Sequence, residues 1–308
     1  MAGLAPSPGS SVTIIQRPDR CMVAPVRSGE DMTWQDEWSK AHDRSPLNVT
    51  AENESRWKRY WNACAEQYGR DVDAEAHLYQ AVVDHLLREG RLCPTDSVLD
   101  VGCGPGTYTI PMAQHALCVM GLDPAEGMIH ELSRRADEKR LTNVEGTVAR
   151  WDEFGIGGFD LVVSALSPAL SNSEGLMKMG STSKRDCCYI APARGKEMNA
   201  RNDLWERVVG EFRPSFAYDI KYPFNILIEA GERPDLKHIS ASVETEVDAD
   251  VAISNFQTYF EIFTEMDDEK RAVIRDFVLD RSEYGIFRKK AKKVLAVMTW
   301  SPAHGSRA

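Results

Sequence analysis

The chain has 308 residues, of which 43% are hydrophobic and 27% are charged, as in an ordinary globular protein. A chain of this length can bury a sizeable core, so it needs neither disulfides nor a structural metal to fold. Its formal net charge of -10 gives a field that repels phosphate backbones, so the sequence predicts no nucleic acid partner.

Cysteine usage and hydropathy together favour a cytoplasmic protein. Seven cysteines, an odd number without paired Cys-x-x-Cys spacing, fit a reducing compartment. No apolar run approaches the roughly 18 residues of a membrane span, and the N-terminus does not resemble a signal peptide, so neither membrane contact nor export is expected. The seven histidines lack the spacing of metal-binding motifs, so no metal site is predicted.

The chain begins with a segment that is poor in core-forming residues. Residues 1–30 contain prolines among glycine and serine, and we expect a disordered arm there because so little apolar surface can be buried. Residues 31–72 carry aromatic and charged side chains at helical spacing, as in the pair Trp57 and Trp61. This pattern predicts two short helices that form an N-terminal cap.

Between residues 73 and 195, helix-like and strand-like segments alternate. Asp73 is suited to cap a helix that Gly90 ends, and a capping box of Ser171 and Glu174 is suited to begin a later one. Five short apolar strands are predicted at residues 98–101, 117–122, 144–148, 159–163 and 187–190. The alternation predicts an α/β fold with a parallel, Rossmann-like sheet and helices on both faces.

The last third of the chain, residues 196–308, follows a different pattern. Ile239, Ala241 and Val243 alternate as in a half-solvated strand, and two amphipathic helices separate them from a final strand at residues 294–300. We expect these two strands to complete a doubly wound, mostly parallel sheet of seven strands. The two helices would form an inserted pair near the C-terminus.

The segment most informative about chemistry is residues 98–107, which read VLDVGCGPGT. Its glycines let the backbone turn sharply and let a ligand approach closely, while the next helix presents free N–H groups. Nicotinamide, flavin and nucleoside sites all use such a turn. Asp100 at the end of this strand is suited to an ammonium group, and Asp123 at the end of the next is suited to ribose hydroxyls. Together they indicate an amino-acid nucleoside.

Three segments, VLDVGCGPGT, GLDPAEGMI and FDLVVSA, resemble in order and spacing the first, second and fourth strand motifs of class I S-adenosylmethionine-dependent methyltransferases. The resemblance spans about residues 74–191. It implies a methyltransferase with S-adenosyl-L-methionine as cofactor and a small-molecule acceptor that the sequence does not identify. A dinucleotide site would need the pattern GxGxxG, whereas this chain has Gly102, Gly104 and Gly106.

The resemblance also implies roles for individual residues of the turn. Asp100 would hold the ammonium group of the methionine part, directly or through water. The turn residues Gly102, Cys103, Gly104 and Gly106 would line the methionine and ribose. A tight strand-to-helix turn without a ligand is the alternative for the glycines.

Further residues are assigned by the same resemblance to the nucleoside part. Asp123 would bind the ribose hydroxyls, with Pro124 and Met128 near the adenine, although core packing is the alternative for Met128. Asp152 is the candidate for contact with the adenine amino group, and Trp151 the candidate for stacking on the ring. The alternative for this last pair is a loop with an aromatic anchor.

The segment 61–68 resembles the W-x-x-x-A-x-x-Y segment that many small-molecule methyltransferases carry before the core. In those relatives the helix folds over the cofactor, so Tyr68 is a further candidate for the methionine part. Simple burial of one helix face is the alternative.

No catalytic residue is assigned from the sequence. Tyr189, Tyr218 and His238 are possible bases by position, but a packed aromatic ring or a satisfied histidine is the alternative for each. Methyl transfer from a sulfonium needs chiefly alignment, so a base is required only if the acceptor must lose a proton. The loop 164–170, beside the expected acceptor pocket, lacks the Asn/Asp-Pro-Pro-aromatic motif of many members that methylate amide or adenine nitrogens.

Two alternatives stay open. The N-terminal cap and the inserted helices could cover the acceptor or form a homodimer surface. The chain could also be a non-catalytic S-adenosylmethionine sensor or assembly partner, because a fold and a cofactor site do not prove turnover. Aminopropyl transfer from a decarboxylated cofactor is disfavoured by Asp100.

Overall fold

The computed structural model describes residues 12–15, 32–193, 200–210 and 217–303. A short strand and three helices come first: β1 (Val12–Ile15), α1 (Trp34–Asp43), α2 (Glu54–Ala74) and α3 (Ala76–Arg88). Thr33 caps α1, because its side chain accepts a hydrogen bond from the backbone N–H of Asp36 while the Asp36 carboxylate accepts from the Thr33 backbone.

The start of α3 differs from the prediction. Asp73 was expected to cap this helix, but it lies in the last turn of α2, and its carboxylate accepts a hydrogen bond from Arg135 Nη2 at 2.6 Å. Glu75 is the N-cap residue of α3, without a side-chain capping bond. Helix α2 therefore continues to Ala74, past the predicted boundary at residue 72, and the Asp73 carboxylate pairs with Arg135 of α5 instead of capping α3.

The alternating core is present as predicted, and the Rossmann-like α/β class is confirmed. Its elements are β2 (Ser97–Val101), α4 (Thr109–Ala113), β3 (Cys118–Asp123), α5 (Glu126–Glu138), β4 (Val144–Val148), β5 (Phe159–Ala165), α6 (Ser173–Thr182) and β6 (Ser183–Pro192). The cap of α6 is Asn172 rather than Ser171, since Asn172 Oδ1 accepts the hydrogen bond from the Gly175 N–H at 2.8 Å.

The C-terminal third contains more helices than the sequence predicts. Its elements are α7 (Ala200–Val208), α8 (Lys221–Glu229), β7 (Asp235–Asp248), α9 (Ala249–Phe260), α10 (Asp268–Leu279), β8 (Ser282–Glu283) and β9 (Ile286–Trp300). Helices α9 and α10 are the predicted inserted pair, and α7 and α8 are additional. The chain returns from β8 to β9 through Tyr284 and Gly285, which both have positive φ, as a tight hairpin turn requires.

The sheet differs from the prediction in size and direction. It has nine strands in the order β1-β7-β9-β6-β5-β2-β3-β4, with β8 paired to β9. Pairings among β2 to β6 are parallel, whereas β6–β9, β7–β9, β1–β7 and β8–β9 are antiparallel. The prediction of a mostly parallel seven-stranded sheet is therefore wrong, because an apolar alternation does not encode strand direction and the two shortest strands carry too few residues to show a period.

Strand β1 lies within the segment predicted to be a disordered arm. It pairs with β7 in a register that places Val12 opposite Ala241 and Ile15 opposite His238. Backbone hydrogen bonds supply this pairing, and they depend little on the composition of the segment. The prediction is wrong for residues 12–15, and the remainder of residues 1–30 lies outside the described residues.

Strand β2 is the centre of the core because both of its faces are covered. Val98 belongs to an apolar cluster that includes residues of α3. Leu99, on the opposite face, belongs to a cluster that includes Trp38 and residues of α6. A third cluster joins α2 to α9 and α10 through Trp57 and Phe260. Helix α2 therefore lies between the core and the C-terminal helices. No helix in the described ranges is both long and apolar enough to cross a membrane.

Candidate functional site

A cavity of about 510 Å³ opens at the carboxyl ends of β2 and β3, beneath α2. Ten of the eleven residues predicted for the cofactor site line it: Tyr68, Asp100, Gly102, Cys103, Gly104, Asp123, Pro124, Met128, Trp151 and Asp152. The structure thus brings together residues that are more than 80 positions apart in the sequence. Their roles toward a ligand stay predictions.

The glycine turn after β2 has a backbone that only glycine adopts readily. Gly102 has φ +72°, and a Cβ placed there would lie 1.9 Å from Ser167 Oγ. Gly106, the one predicted residue that is not among the lining residues, has φ +87°, and its Cβ would lie 2.6 Å from Leu132 Cδ1. Gly102 therefore allows the loop after β5 to approach the turn, and Gly106 allows close packing against α5.

Asp100 lies at the floor of the cavity with 1% of its surface exposed. Its carboxylate accepts a hydrogen bond from Thr109 Oγ1 at 2.6 Å. Burial raises the pKa of Asp100 to about 6, and the negative charge of Asp123 contributes to the shift. Thr109 was missed by the sequence analysis, although its position one turn after the glycines was the available signal.

Asp123 supports the turn from the neighbouring strand. Its Oδ2 accepts a hydrogen bond from the Gly104 N–H at 3.1 Å, and its Oδ1 accepts one from the Ala125 N–H at 2.9 Å. Each carboxylate oxygen has a further lone pair, so the group retains acceptor capacity toward the cavity. Burial raises the pKa of Asp123 to about 6.

The far end of the cavity is formed by the loop after β4. Arg150 donates hydrogen bonds to both carboxylate oxygens of Asp152, at 3.0 and 2.9 Å, and this pairing lowers the pKa of Asp152. Trp151 is buried, its indole N–H donates to the Gly175 carbonyl at 3.1 Å, and Lys178 Nζ lies 4.6 Å from its ring centroid. Stacking by Trp151 and an amino-group contact by Asp152 stay predictions.

Helix α2 lies over the cavity and is held there by polar contacts. Glu54 at its first turn pairs with Arg150, and Asn62 Oδ1 accepts a hydrogen bond from the Gly127 N–H at 2.8 Å. Trp61 and Tyr68 from this helix line the cavity, with ring centroids 5.9 Å apart. Burial raises the pKa of Tyr68 to about 12, so its hydroxyl stays protonated at neutral pH.

A second cavity of about 310 Å³ adjoins the first. The two share six lining residues: Val49, Trp57, Trp61, Leu166, Ser167 and Pro168. Tyr189 and Tyr218 also line the second cavity, and burial raises the pKa of both phenols. His238 lies in β7 and is not among the described lining residues of either cavity. Because of their raised pKa values, Tyr189 and Tyr218 keep their protons at neutral pH, which makes them poor bases.

Comparisons with known proteins identify the central segment. Residues 98–179 match a family model described as a methyltransferase domain. The 23S rRNA (uracil(1939)-C(5))-methyltransferase RlmD of Tolumonas auensis is 28% identical over 149 residues, which cover 41% of this chain and 33% of that protein. The chain spans about a third or less of the length of the first curated relatives it matches.

Two solved structures illustrate the structural similarity. Geranyl diphosphate C-methyltransferase from Streptomyces coelicolor A3(2) is 15% identical, with 83% of this chain and all of that chain covered and a TM-score of 0.46. Magnesium protoporphyrin IX methyltransferase from Synechocystis is 17% identical, with 85% and 99% covered and a TM-score of 0.44.

The prediction that nucleic acid is not a partner is contradicted by these comparisons. The first curated relatives that match are named as 23S rRNA methyltransferases. The prediction rested on the net charge, which sums over the whole chain and so does not describe the field at one local site. RNA therefore stays open as an acceptor class.

Proposed function

We propose that this chain, which belongs to the class I S-adenosylmethionine-dependent methyltransferases, transfers a methyl group to an acceptor held in the second cavity. The match over residues 98–179 supports the predicted family and enzyme class, whose cofactor is S-adenosylmethionine. The observation that carries the proposal is the shared boundary of the two cavities, because a methyl donor in one would face an acceptor in the other.

The first cavity would hold the cofactor through groups already in place. Asp100 would accept from the ammonium group, and Asp123 would use its remaining lone pairs for the ribose hydroxyls. The N–H groups and bare backbone of the glycine turn would lie against the methionine part. Tyr68 on α2 would close this site from above.

When bound, S-adenosylmethionine supplies an electrophilic methyl group on a positively charged sulfur. The protein chiefly has to align the acceptor and exclude water, and such positioning contributes about 7 to 11 kcal/mol to a reaction barrier. The aromatic side chains Trp57 and Trp61 line both cavities and would exclude water from the boundary. Among the described residues that line the second cavity none is a carboxylate or histidine, which suits an acceptor that needs no strong base.

We favour a small molecule as the acceptor because the second cavity is lined mainly by aromatic and aliphatic side chains. An RNA nucleotide is the second candidate, and the curated relatives favour it. A base taken out of an RNA strand could enter such a cavity. Incubation with labelled S-adenosylmethionine and, separately, a metabolite extract or total RNA distinguishes the two, because the label appears in only one fraction. Label in neither fraction would contradict the proposal.

Thermal unfolding gives the first test of the cofactor site. S-adenosylmethionine and S-adenosylhomocysteine should each raise the melting midpoint, since a ligand at 100 times its dissociation constant stabilises by about 2.7 kcal/mol. NAD should have no effect, because the turn lacks the pyrophosphate-binding glycine pattern. A response to NAD alone would contradict the assignment.

Binding of S-adenosylhomocysteine should depend on pH through the two buried carboxylates. Their pKa values are raised from 3.8 to about 6, so between these values the folded protein keeps protons that the unfolded chain has lost. Stability without ligand therefore falls as pH rises through this window. Binding needs the ionised forms, so we expect the dissociation constant to be at least about tenfold weaker at pH 5 than at pH 7.

Calorimetric titration at pH 5, 6 and 7 measures this dependence. Melting midpoints at each pH confirm that the protein is folded throughout. A dissociation constant that is unchanged between pH 5 and pH 7 would show that neither carboxylate releases a proton on binding, and would contradict the expected coupling.

A further inference from the structure

The second cavity combines an aromatic lining with one positive charge. Trp57, Trp61, Tyr189, Tyr218 and Tyr259 supply the aromatic surface. Arg201 is the one charged side chain among its described lining residues. An arginine stays charged at every physiological pH, so this cavity carries a fixed positive group.

The contacts of the Arg201 guanidinium with described residues include two from elements other than its own helix α7. Its Nη2 donates a hydrogen bond to Tyr60 Oη of α2 at 2.7 Å. Its central carbon lies 4.2 Å from the ring centroid of Tyr259 in α9, within the distance of a cation–π contact. Both tyrosines are buried, with 4% of their surface exposed, so the two rings fix where the guanidinium can point.

We propose that the acceptor is a flat, largely aromatic molecule that carries a carboxylate, and that Arg201 binds this carboxylate. The inference rests on the proposed function and names its acceptor class. A guanidinium has five N–H donors in a rigid fork that matches the two oxygens of a carboxylate. The aromatic body would pack against Trp57 and Trp61, beside the boundary with the cofactor cavity.

The position of Arg201 also gives the acceptor an orientation. The boundary residues Ser167 and Pro168 belong to both cavities, whereas Arg201 lines only the second. A carboxylate bound at Arg201 would therefore direct the opposite end of the molecule toward the methyl donor. The carboxylate serves as an anchor, and the methylated atom lies at another position of the acceptor.

The test compares 2-naphthoate with its neutral amide, 2-naphthamide, by calorimetric titration of the protein saturated with S-adenosylhomocysteine. We expect 2-naphthoate to bind at least about tenfold more tightly, because hydrogen bonds to a charged group are the stronger ones. Arg201→Gln should remove this preference and leave 2-naphthamide binding unchanged. Arg201→Lys keeps the charge without the fork, so it should retain part of the preference.

Arg207→Gln is the matched control, because Arg207 lies on the same helix with an exposed side chain and is not among the lining residues. It should bind both compounds as the unaltered protein does. Melting midpoints and titration with S-adenosylhomocysteine establish that each variant is folded and loaded.

Three results would overturn the inference: equal binding of the two naphthalene compounds, unchanged 2-naphthoate binding by Arg201→Gln, or no binding of either compound to the loaded protein. A uridine oligonucleotide that binds more tightly than 2-naphthoate and loses affinity in Arg201→Gln would assign the cavity to RNA instead. Failure to bind S-adenosylhomocysteine would contradict the proposed function itself, so the two failures are distinguishable.

Discussion

Asp123→Ala should weaken binding of S-adenosylhomocysteine by about tenfold to a hundredfold. Hydrogen bonds to a charged group contribute about 1.5 to 3 kcal/mol, and each 1.4 kcal/mol is about a factor of ten in affinity. The variant loses the proposed acceptor of the ribose hydroxyls. It also leaves the Gly104 and Ala125 N–H groups without the carboxylate that fixes the turn.

Calorimetric titration of the variant with S-adenosylhomocysteine measures the effect. Asp84→Ala is the matched control, because Asp84 is an exposed carboxylate on α3 that accepts a hydrogen bond from Gln80 at 2.8 Å and lies outside the cavity. The control should bind as the unaltered protein does. An unchanged affinity in Asp123→Ala, with a folded protein, would remove Asp123 from the cofactor site.

Gly102→Ala should destabilise the protein and abolish measurable cofactor binding. A residue other than glycine at positive φ costs about 1 to 2 kcal/mol, and the new Cβ would meet Ser167 Oγ at 1.9 Å. Either the turn or the loop after β5 must move to relieve this contact. Since both line the first cavity, where we propose that the cofactor binds, this cavity changes shape whichever segment moves.

The variant Gly90→Ala separates the two causes of the destabilisation, which are the positive φ and the contact with Ser167. Gly90 has φ +67°, similar to Gly102, but no atom lies within 4 Å of its Cβ position. Chemical denaturation of both variants should give the smaller loss for Gly90→Ala, and the difference measures the contact with Ser167. The double variant Gly102→Ala/Ser167→Gly should recover part of that difference. Equal losses in the two single variants would contradict the expected contact.

The cavity that we propose for the cofactor was predictable because its main residues belong to local patterns. Asp100 and Asp123 each end an apolar strand, and parallel strands bring such ends to one edge of the sheet. A strand, a glycine turn and a helix follow one another directly along the chain, so their order can be read from one short segment. The sequence therefore contained both the residues and the reason for their proximity.

The second cavity was harder to predict because elements that are far apart in the sequence form it. Arg201 comes from a helix that the sequence pattern did not reveal, and its tyrosine partners come from α2 and α9. No spacing in the sequence indicates that these three helices meet. The loop after β5 was expected beside the acceptor, and its residues Leu166 and Pro168 do line the second cavity.

The predictions of a mostly parallel sheet and of no nucleic acid partner were wrong for different physical reasons. Alternating apolar residues report which face of β7 is buried, and the same alternation serves parallel and antiparallel pairs. Net charge reports the average field around the chain and contains no information about one cavity. In both cases the quantity read from the sequence was correct but did not determine the feature inferred from it.

Helix α2 belongs to both halves of the proposed reaction site. Its residues Trp57 and Trp61 line both cavities. Its polar contacts with Arg150 and Gly127 join it to segments beside the first cavity. Any displacement of this helix during cofactor exchange would also alter the volume open to the acceptor. Cofactor exchange and acceptor entry would therefore both depend on the position of this one helix.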